Sequence, residues 1–419
     1  MTTNSSFDVA IVGGGVIGLA VALHLLEGGR SVVVLERAEV GSGASHGNCG
    51  TITPSHALPL AQPGMIGKAL QQMFQKDAPF YVRPSLDPAL LGFMLQFARR
   101  CSQPRMRLAA KPRADLLNLS RQLLEQLIQR RGLDCEFSAS GLLTVFRDEQ
   151  AFAEARHLEH DLPAIGVPIE AWTPAQVLAR EPALKAGVVA GHWYPSDAHL
   201  RPDRLVAALA TRVRESGGVI REQSPVQSFV APRAGVLAPV CADGPVNASQ
   251  TVLCGGAWSP LIAKSLQLRL PIQPGKGYSI TYSRPKLCPS LPLVLRERSV
   301  CVTSWASGFR LGSTMEFSGY DNTLNRLRLD ALVRAARDYL IEPEGAERIE
   351  EWTGWRPMMP DDLPLIGPSS RRPGLWFATG HGMLGVSMAV ATGHLLSELM
   401  LQRSPMIDMS AFAPRRLGL

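Results

Sequence analysis

Apolar and polar positions form two kinds of segment along this chain, and each is typical of one secondary structure. Residues 7–12 (FDVAIV) and 31–37 (SVVVLER) are short apolar runs of the kind that form buried parallel strands. Between them, residues 13–18 (GGGVIG) lead into a helical run over residues 19–29. This order predicts a βαβ unit with short connections at the start of the chain.

Further segments follow the same two patterns. Helices are predicted over residues 66–76, 89–101, 114–131, 201–217, about 323–341 and 386–401, and strands at 141–146, 191–195, 251–258, across 278–315 and at 375–380. Elements of dinucleotide-binding type thus stand at the start, the middle and the end. We predict an α/β fold with a discontinuous cofactor-binding domain (residues 1–85, 195–265 and 350–419) and an inserted substrate domain (residues 86–194 and 266–349).

Composition and charge exclude several classes of protein. Hydrophobic residues make up 46% and charged residues 19% of the chain, which is typical of a globular protein. The formal charge is +7, but the basic residues are dispersed, so we expect no nucleic-acid partner. We find no uncharged run near the roughly 18 apolar residues of a membrane span, and no signal peptide is expected.

The cysteine and histidine positions indicate neither disulfides nor a metal site. Seven cysteines form no CxxC pair, so we expect reduced thiols in a cytoplasmic protein. His157 and His160 have a metal-like spacing, but no cysteine or acidic cluster accompanies them. We therefore expect no metal ion.

The glycine-rich turn after the first strand predicts a dinucleotide site. Gly13, Gly15 and Gly18, with Val16 and Ile17 between the last two, fit GxGxxG between a strand and a helix. Gly13 would make the turn, Gly15 would admit the pyrophosphate, and Gly18 would let helix and strand pack closely. Glu36 ends the second strand, where a carboxylate binds ribose hydroxyls, and Arg37 follows it. The alternative is a structural glycine turn with a surface glutamate.

Three more glycine-bearing segments favour FAD over NAD. They are residues 41–50 (GSGASHGNCG), 254–258 (CGGAW) and 378–389 (ATGHGMLGVSMA). Glycine at so many places suggests that the backbone approaches a long cofactor repeatedly. No second GxGxxG is found, so a separate nicotinamide domain is not expected.

At this point the chain resembles the D-amino-acid oxidase and glycine oxidase superfamily of FAD proteins, and most closely the bacterial D-amino-acid dehydrogenase small subunits. The resemblance rests on GSGASHGNCGTITP, GLLTVFRDEQ, GKGYSIT, GWRPMMPDDLPLIG and ATGHGMLGVSMAVATG, and it spans nearly the whole chain. D-hydroxyproline dehydrogenases share much of this pattern. The resemblance implies a Rossmann-like, glutathione-reductase-type FAD domain interleaved with an α+β substrate domain on an antiparallel sheet.

The resemblance also implies a role for each matching position. It implies that Ser45, Asn48, Gly50 and Thr51 contact the ribityl chain and flavin ring, and that Val226 contacts the adenine. It implies that Gly255, Gly256 and Trp258 lie beside the pyrophosphate and ribityl chain. The flavin O2 edge is assigned to Gly382, Met383, Leu384, Gly385 and Val386. The alternative for the last group is a helix after an ordinary glycine turn. The GWRPMMPDD segment has no cysteine, so we expect non-covalent FAD.

Arg356 is the candidate for binding the substrate, because a planar guanidinium pairs with a carboxylate through two hydrogen bonds. The alternative is a structural ion pair with Asp361 or Asp362. Tyr278 could add a hydroxyl to the same carboxylate, or it could be a strand aromatic. His46, His56 and His381 are candidate pocket residues, with solvated loop histidines as the alternative for the first two. Many dehydrogenases have an aromatic residue where Ser299 stands, so the preferred side chain stays open.

These expectations describe a flavoenzyme that converts a D-amino acid to a 2-oxo acid and passes electrons to a quinone-type acceptor. The alternatives are a D-hydroxyproline or D-proline dehydrogenase, a glycine or sarcosine oxidase, and a non-catalytic FAD-binding subunit. Residues 65–101 combine apolar side chains with Lys68, Lys76, Arg99 and Arg100. This stretch could rest on the inner face of a membrane, although core packing is the interpretation we favour.

Overall fold

The structure is a computed structural model that describes residues 6–67 and 80–419 of the chain. The strands are β1 (Phe7–Val12), β2 (Val32–Leu35), β3 (Thr51–Ile52), β4 (Phe80–Val82), β5 (Leu142–Phe146), β6 (Glu170–Trp172), β7 (Ala190–Tyr194), β8 (Ala198–His199), β9 (Val219–Arg221), β10 (Ser228–Val230), β11 (Ala238–Cys241), β12 (Gly244–Pro245), β13 (Ala248–Leu253), β14 (Gln273–Tyr282), β15 (Leu293–Leu295), β16 (Val300–Trp305), β17 (Gly308–Phe317), β18 (Arg348–Met358), β19 (Leu365–Pro368) and β20 (Leu375–Thr379). The α-helices are α1 (Val16–Glu27), α2 (Pro88–Ala98), α3 (Gln103–Arg131), α4 (Glu149–Ala155), α5 (Leu158–Asp161), α6 (Pro174–Arg180), α7 (Pro202–Glu215), α8 (Ser259–Ala263), α9 (Arg326–Tyr339) and α10 (Gly385–Met400).

The predicted βαβ unit forms the centre of a six-stranded sheet with the order β19-β20-β13-β1-β2-β9. Its strands are parallel except β19, which runs antiparallel to β20. Helices α1, α3, α7 and α10 supply much of the apolar core against this sheet. Burial on both faces explains why β1 and β2 are continuous apolar runs rather than alternating ones.

A second, larger sheet has the order β18-β14-β17-β16-β15-β5-β7-β6, with β4 beside β17. It is antiparallel except for the pairs β5–β15 and β4–β17. Helix α9 packs its apolar residues against one face, together with alternate residues of β14. The fold therefore has the predicted architecture, a mostly parallel sheet interleaved with a mostly antiparallel one.

Some predicted boundaries differ from the observed ones. Strand β18 begins at Arg348 and pairs along β14, so the predicted domain boundary at residue 350 cuts through a strand of the larger sheet. Strand β4 also joins that sheet, although it lies before residue 85. Helix α3 begins at Gln103, eleven residues before the predicted start at 114, and it continues through Pro112. Of the predicted helix 66–76, residues 68–76 lie outside the described residues.

Helix α10 and the turn before it correct one expectation from the sequence. The segment Gly382–Met400 is long and apolar enough to cross a membrane by length and composition alone, with a mean hydropathy of 1.3. However, 67% of that apolar window is buried inside the fold. Its apolar residues pack against α1 and α3, which explains the composition without a membrane.

Candidate active site

A cavity of about 1290 Å³ lies between the two sheets. This volume exceeds the roughly 300–1,000 Å³ of ordinary ligand sites, so it has room for a cofactor and a substrate together. Its wall includes the ends of β1 and β2, the loop after residue 41, parts of β14, β17 and β18, and the N-terminus of α10. The cavity is thus built from segments that are far apart in the sequence.

The glycine turn after β1 has the geometry that GxGxxG requires. Gly13 has a φ of +115°, and a Cβ there would lie 2.5 Å from the carbonyl oxygen of Cys254. A Cβ on Gly18 would lie 2.0 Å from the carbonyl oxygen of Gly13. Larger residues are therefore excluded at both positions. Gly15, Val16 and Ile17 line the cavity at the N-terminus of α1.

The Glu36 carboxylate is fixed at the cavity wall by two backbone amides. Its Oε2 accepts from the Gly14 N–H at 2.7 Å and its Oε1 from the Ala38 N–H at 3.0 Å. Arg37 stacks on the ring of Trp258 with 3.7 Å between the guanidinium carbon and the ring centroid. Val226, Gly255 and Gly256 line the same part of the cavity. The predicted adenosine and pyrophosphate residues are therefore neighbours in space.

The loop after residue 41 follows the cavity wall. Ser45 Oγ accepts from the Val16 N–H at 3.1 Å, so this side chain lies at the N-terminus of α1. Asn48 Oδ1 accepts from the Gly50 N–H at 2.7 Å, and Thr51 O accepts from Ser387 Oγ at 2.9 Å. The last bond ties this loop to α10, which the sequence places more than 300 residues away.

Arg310 holds this loop against the larger sheet, and no motif in the sequence points to it. The guanidinium is buried, and its Nη1 donates to the carbonyl oxygens of His46 at 2.8 Å and Asn48 at 2.7 Å. Its Nε donates to Thr281 Oγ1 at 2.9 Å. An arginine within an alternating strand pattern gives no sequence signal for such a contact.

The stretch 378–389 closes another side of the cavity. Gly382, Met383, Leu384, Gly385 and Val386 all line it, where α10 begins. His381 lies at the same wall, and its Nε2 is 3.0 Å from Thr392 Oγ1 in α10. Burial lowers the pKa of His381 to about 3, so the ring is neutral at ordinary pH. The N-terminus of α10 thus directs its partial positive charge at the cavity.

Arg356 lies at the cavity wall as a partly buried cation. Its Nη1 donates to the carbonyl oxygen of Thr314 at 2.5 Å, and no acidic side chain pairs with it among the described residues. Asp361 pairs with Arg416 at 3.3 Å, and Asp362 lies 3.9 Å from Arg113. The alternative of a structural ion pair for Arg356 is therefore not what the structure has. Burial lowers the pKa of the guanidinium, because charge is disfavoured away from water.

Two neighbours shape the position of Arg356. A Cβ on Gly277 would lie 2.4 Å from the guanidinium carbon, so the bare glycine makes room for the side chain. Thr314 has a φ of +61°, which is strained for a β-branched residue, and its buried Oγ1 has no hydrogen-bond partner within the described residues. Free donors at Arg356 and a free hydroxyl at Thr314 suit a ligand with several acceptor oxygens.

Tyr278 is among the residues that line the cavity, but its hydroxyl is hydrogen-bonded elsewhere. Its ring is buried in the core beneath α9, and its hydroxyl donates to Glu316 Oε2 at 3.0 Å. Alternate residues of a strand point to opposite faces, so Tyr278 lies on the face opposite Gly277 and Arg356. The hydrogen bond to Glu316 favours the interpretation of Tyr278 as a strand aromatic, and a contact with the substrate carboxylate stays a prediction.

The remaining candidates separate in the same way. His46 is not part of the cavity wall, and its Nε2 lies 2.7 Å from Glu350 Oε1. That hydrogen bond raises the pKa of His46, although burial opposes it. His56 does line the cavity, as does Ser299. The hydrogen bond to Glu350 favours the alternative of a loop histidine for His46.

Cys49 and Cys301 also lie in the cavity wall, and neither belongs to a sequence motif that predicts a role for it. A hydrogen bond from Cys301, with Arg310 and Arg356 nearby, lowers the pKa of Cys49, while that of Cys301 is raised. The pKa of one thiol is thus lowered beside the guanidinium of Arg356. No spacing rule could have found this pair, because their positions are 252 residues apart.

Comparisons with known proteins agree with this geometry. Residues 8–399 match the model of the DAO family, described as FAD dependent oxidoreductase. The chain is 34% identical over 412 residues to a D-amino acid dehydrogenase of Chromohalobacter salexigens, covering 96% of this chain and 97% of the relative. It is 33% identical over 408 residues to one of Paramagnetospirillum magneticum, covering 96% of each.

Solved structures share the fold. Glycine oxidase from Geobacillus kaustophilus superposes with a TM-score of 0.78 at 23% identity, covering 97% of this chain and 98% of the other. L-proline dehydrogenase from P. horikoshii superposes with a TM-score of 0.74 at 19% identity, covering 99% and 98%.

Proposed function

Because this chain belongs to the DAO family of FAD-dependent oxidoreductases, we propose that it oxidises D-amino acids to the corresponding imino acids, which water hydrolyses to 2-oxo acids and ammonia. The observation that carries this proposal is Arg356, a partly buried guanidinium with no acidic partner in the described structure, at the wall of the cofactor cavity. A substrate carboxylate would supply the charge that the protein itself does not.

The cavity fits FAD. The Glu36 carboxylate, held by two backbone amides, would accept from ribose hydroxyls, and the turn at Gly13–Gly18 would receive the pyrophosphate. We assign the ribityl and flavin region to the loop around Asn48 and the residues from Gly382 onward. FAD supplies, when bound, a two-electron acceptor for the hydrogen at Cα of the substrate. We expect it to be held without a covalent bond.

The protein's own part is orientation and charge. Arg356 would fix the carboxylate by two parallel hydrogen bonds, and Thr314 Oγ1 offers a further polar contact beside it. Fixing the carboxylate on one side and the amine on the other leaves only one enantiomer with its Cα–H directed at the flavin. The amine must be bound without its extra proton, and the arginines in the wall disfavour an ammonium group there.

Anaerobic reduction of the flavin tests this proposal. The holoenzyme is mixed with D- and L-enantiomers of a panel that includes alanine, proline, hydroxyproline, glycine and sarcosine, and the visible flavin band is followed. D-enantiomers are expected to bleach it. Selective reduction by L-enantiomers would reject the stereochemical assignment, and no reduction by any amine would favour a non-catalytic FAD-binding subunit. The cyclic substrates and glycine distinguish the alternatives within the class.

We further propose a quinone-type acceptor and a peripheral position on the cytoplasmic face of the inner membrane. Leu91 and Leu95 share one face of α2 and are 54% and 53% exposed, and Leu86 beside them is 92% exposed. The other face of α2 packs in the core, as expected, through residues such as Phe93, so the exposed leucines leave a second face for surface contact. Basic residues such as Arg99 would add attraction to anionic lipid.

Two measurements test the acceptor and the membrane contact. Turnover with a soluble quinone should exceed turnover with oxygen alone, and equal rates with stoichiometric peroxide would indicate an oxidase. The variant Leu91→Glu/Leu95→Glu should lose sedimentation with anionic vesicles while keeping its turnover with the soluble quinone. Val219→Glu/Val230→Glu changes two exposed apolar residues elsewhere and serves as the control.

A further inference from the structure

The hydrogen-bond chain behind His56 starts at a buried carboxylate. Asp197 is fully buried, and it accepts twice from Ser55, with Oδ1 receiving the backbone N–H at 3.0 Å and Oδ2 receiving the hydroxyl at 2.5 Å. The same hydroxyl oxygen lies 3.0 Å from Nδ1 of His56, whose ring lines the cavity. Asp197, Ser55 and His56 therefore form a continuous chain from the core to the cavity.

The order of donors in this chain fixes the tautomer of His56. A serine hydroxyl has one proton, and an ionised Asp197 takes it. Ser55 Oγ can then only accept from the ring, so Nδ1 must bear the hydrogen and Nε2 keeps its lone pair. Among the described residues no partner for Nε2 is found. The ring thus presents an acceptor on the cavity side.

The surroundings hold the ring in place and keep it neutral. Arg113 in α3 donates from Nη2 to the carbonyl oxygen of His56 at 3.0 Å and from Nε to that of Ala57 at 2.8 Å. Burial lowers the pKa of His56 to about 4, with further contributions from Arg113 and Arg296. A ring that resists a second proton is a weak base but a good hydrogen-bond acceptor.

We propose that His56, oriented by Ser55 and Asp197, accepts a hydrogen bond at Nε2 from the uncharged amine of the bound substrate and so selects an amino acid over its 2-oxo acid. This inference rests on the proposed function, since it assigns the amine side of the same site. Arg356 binds the carboxylate, and His56 recognises the group that the reaction changes. The product of hydrolysis has a carbonyl oxygen at that position, which cannot donate, so it is bound less tightly.

Asp197→Asn should reverse this preference without changing the shape of the site. The Ser55 N–H requires an oxygen at the Oδ1 position, so the amide nitrogen must occupy the Oδ2 position and donate to Ser55 Oγ. The serine proton then turns to Nδ1 of His56, and Nε2 acquires the hydrogen. The ring becomes a donor towards the ligand, which opposes an amine and favours a carbonyl oxygen.

The wild-type chain should make the same change as the pH is lowered. Burial raises the pKa of Asp197 to about 7, against the two bonds from Ser55 and the charge of Arg121, and the charge of Asp197 in turn raises the pKa of Tyr194. Above that pKa the Nδ1–H tautomer is expected, and below it the protonated carboxyl acts as the amide does in Asp197→Asn.

The test combines histidine NMR with ligand binding to the holoenzyme at pH 8.5. Long-range ¹⁵N–¹H spectra of histidine-labelled protein identify the tautomer, with His56→Gln assigning the signal. Binding of 2-aminoisobutyrate, which has no Cα–H to lose, is compared with binding of pyruvate through the change in flavin absorbance. Asp197→Asn should weaken the binding of 2-aminoisobutyrate and strengthen the binding of pyruvate. The ratio of the two affinities should shift by on the order of tenfold or more.

Glu181→Gln is the matched control, because Glu181 is a buried carboxylate that also accepts from a serine hydroxyl, at 2.6 Å, and from that serine's N–H, at 2.9 Å. The hydrogen bonds of Glu181 do not lead to a histidine, so Glu181→Gln should leave both the His56 tautomer and the affinity ratio unchanged. Ser55→Ala should abolish the preference by releasing the ring.

An Nδ1–H tautomer that persists in Asp197→Asn overturns the proposal, and so does a changed tautomer with an unchanged ratio, because His56 would then not touch the ligand. If D-amino acids fail to reduce the flavin while tautomer and ratio change as expected, only the proposed reaction is lost.

Discussion

Arg356 provides the sharpest single test of how this site binds its substrate. Replacing it with methionine keeps much of the apolar stem and removes the guanidinium, whose one described protein bond is to the Thr314 carbonyl. A guanidinium has five N–H donors, so enough remain free to bind both oxygens of a carboxylate. Losing charged hydrogen bonds to that carboxylate costs about 3 kcal/mol, which corresponds to about a hundredfold loss in kcat/KM.

The same change should not harm the fold. Arg356 is partly buried and has no acidic partner in the described structure, so no ion pair offsets the cost of taking its charge out of water. We therefore expect the thermal midpoint of the Arg356→Met apoenzyme to equal or exceed that of the wild type. Arg416→Ala is the contrasting control, since Arg416 pairs with Asp361 at 3.3 Å and lies outside the cavity wall. It should lower the midpoint and keep kcat/KM.

The assay is anaerobic flavin reduction at several D-amino acid concentrations, with bound FAD quantified in each variant. Arg356→Lys keeps the charge but not the paired geometry, and should lie between wild type and Arg356→Met. An Arg356→Met enzyme within threefold of the wild-type kcat/KM would show that the carboxylate binds elsewhere. Loss of FAD together with activity would show that Arg356 supports the cofactor site instead.

Four other predictions concern the cavity and its surroundings. Gly277→Ala should displace the guanidinium of Arg356 and raise KM by about tenfold with FAD still bound, which steady-state kinetics and flavin absorbance can separate. Arg310→Lys should weaken FAD binding at least tenfold, measured by titrating apoenzyme with FAD, because two loop carbonyls lose their shared donor. The bond to Glu350 raises the pKa of His46 above 6.5. The contribution of this bond to the stability of the fold is therefore complete below pH 6.5 and is lost as the pH rises through the folded-state pKa of His46. Denaturant unfolding is measured across this pH interval for the wild type and for Glu350→Gln. The wild-type midpoint should fall more steeply with pH than that of the variant, and an equal dependence of both midpoints on pH would contradict this. Acid denaturation should release unmodified FAD, and flavin retained on the polypeptide would disprove non-covalent binding.

The sequence alone determined the cofactor end of the molecule. A strand, a glycine turn and a helix are contiguous, so the spacing of Gly13, Gly15 and Gly18 and the position of Glu36 fix a local geometry that needs no distant partner. The apolar runs of β1 and β2 likewise report burial on both faces of a sheet. Arg356 was recognisable only through resemblance to a family, because an isolated arginine before a proline has no distinctive pattern.

Only the tertiary structure decided what surrounds Arg356. The register of β14 against β18 places Gly277 under the guanidinium and turns Tyr278 to the opposite face, and period-two alternation cannot tell which face a mixed strand gives to the cavity. Three contacts join residues that are 141 or more positions apart in the sequence. They are the pair Cys49 and Cys301, the hydrogen bonds from Arg310 to the loop at His46, and the hydrogen-bond chain from Asp197 to His56. Such contacts depend on how two interleaved sheets close around one cavity, and this is a property of packing rather than of any local run of residues.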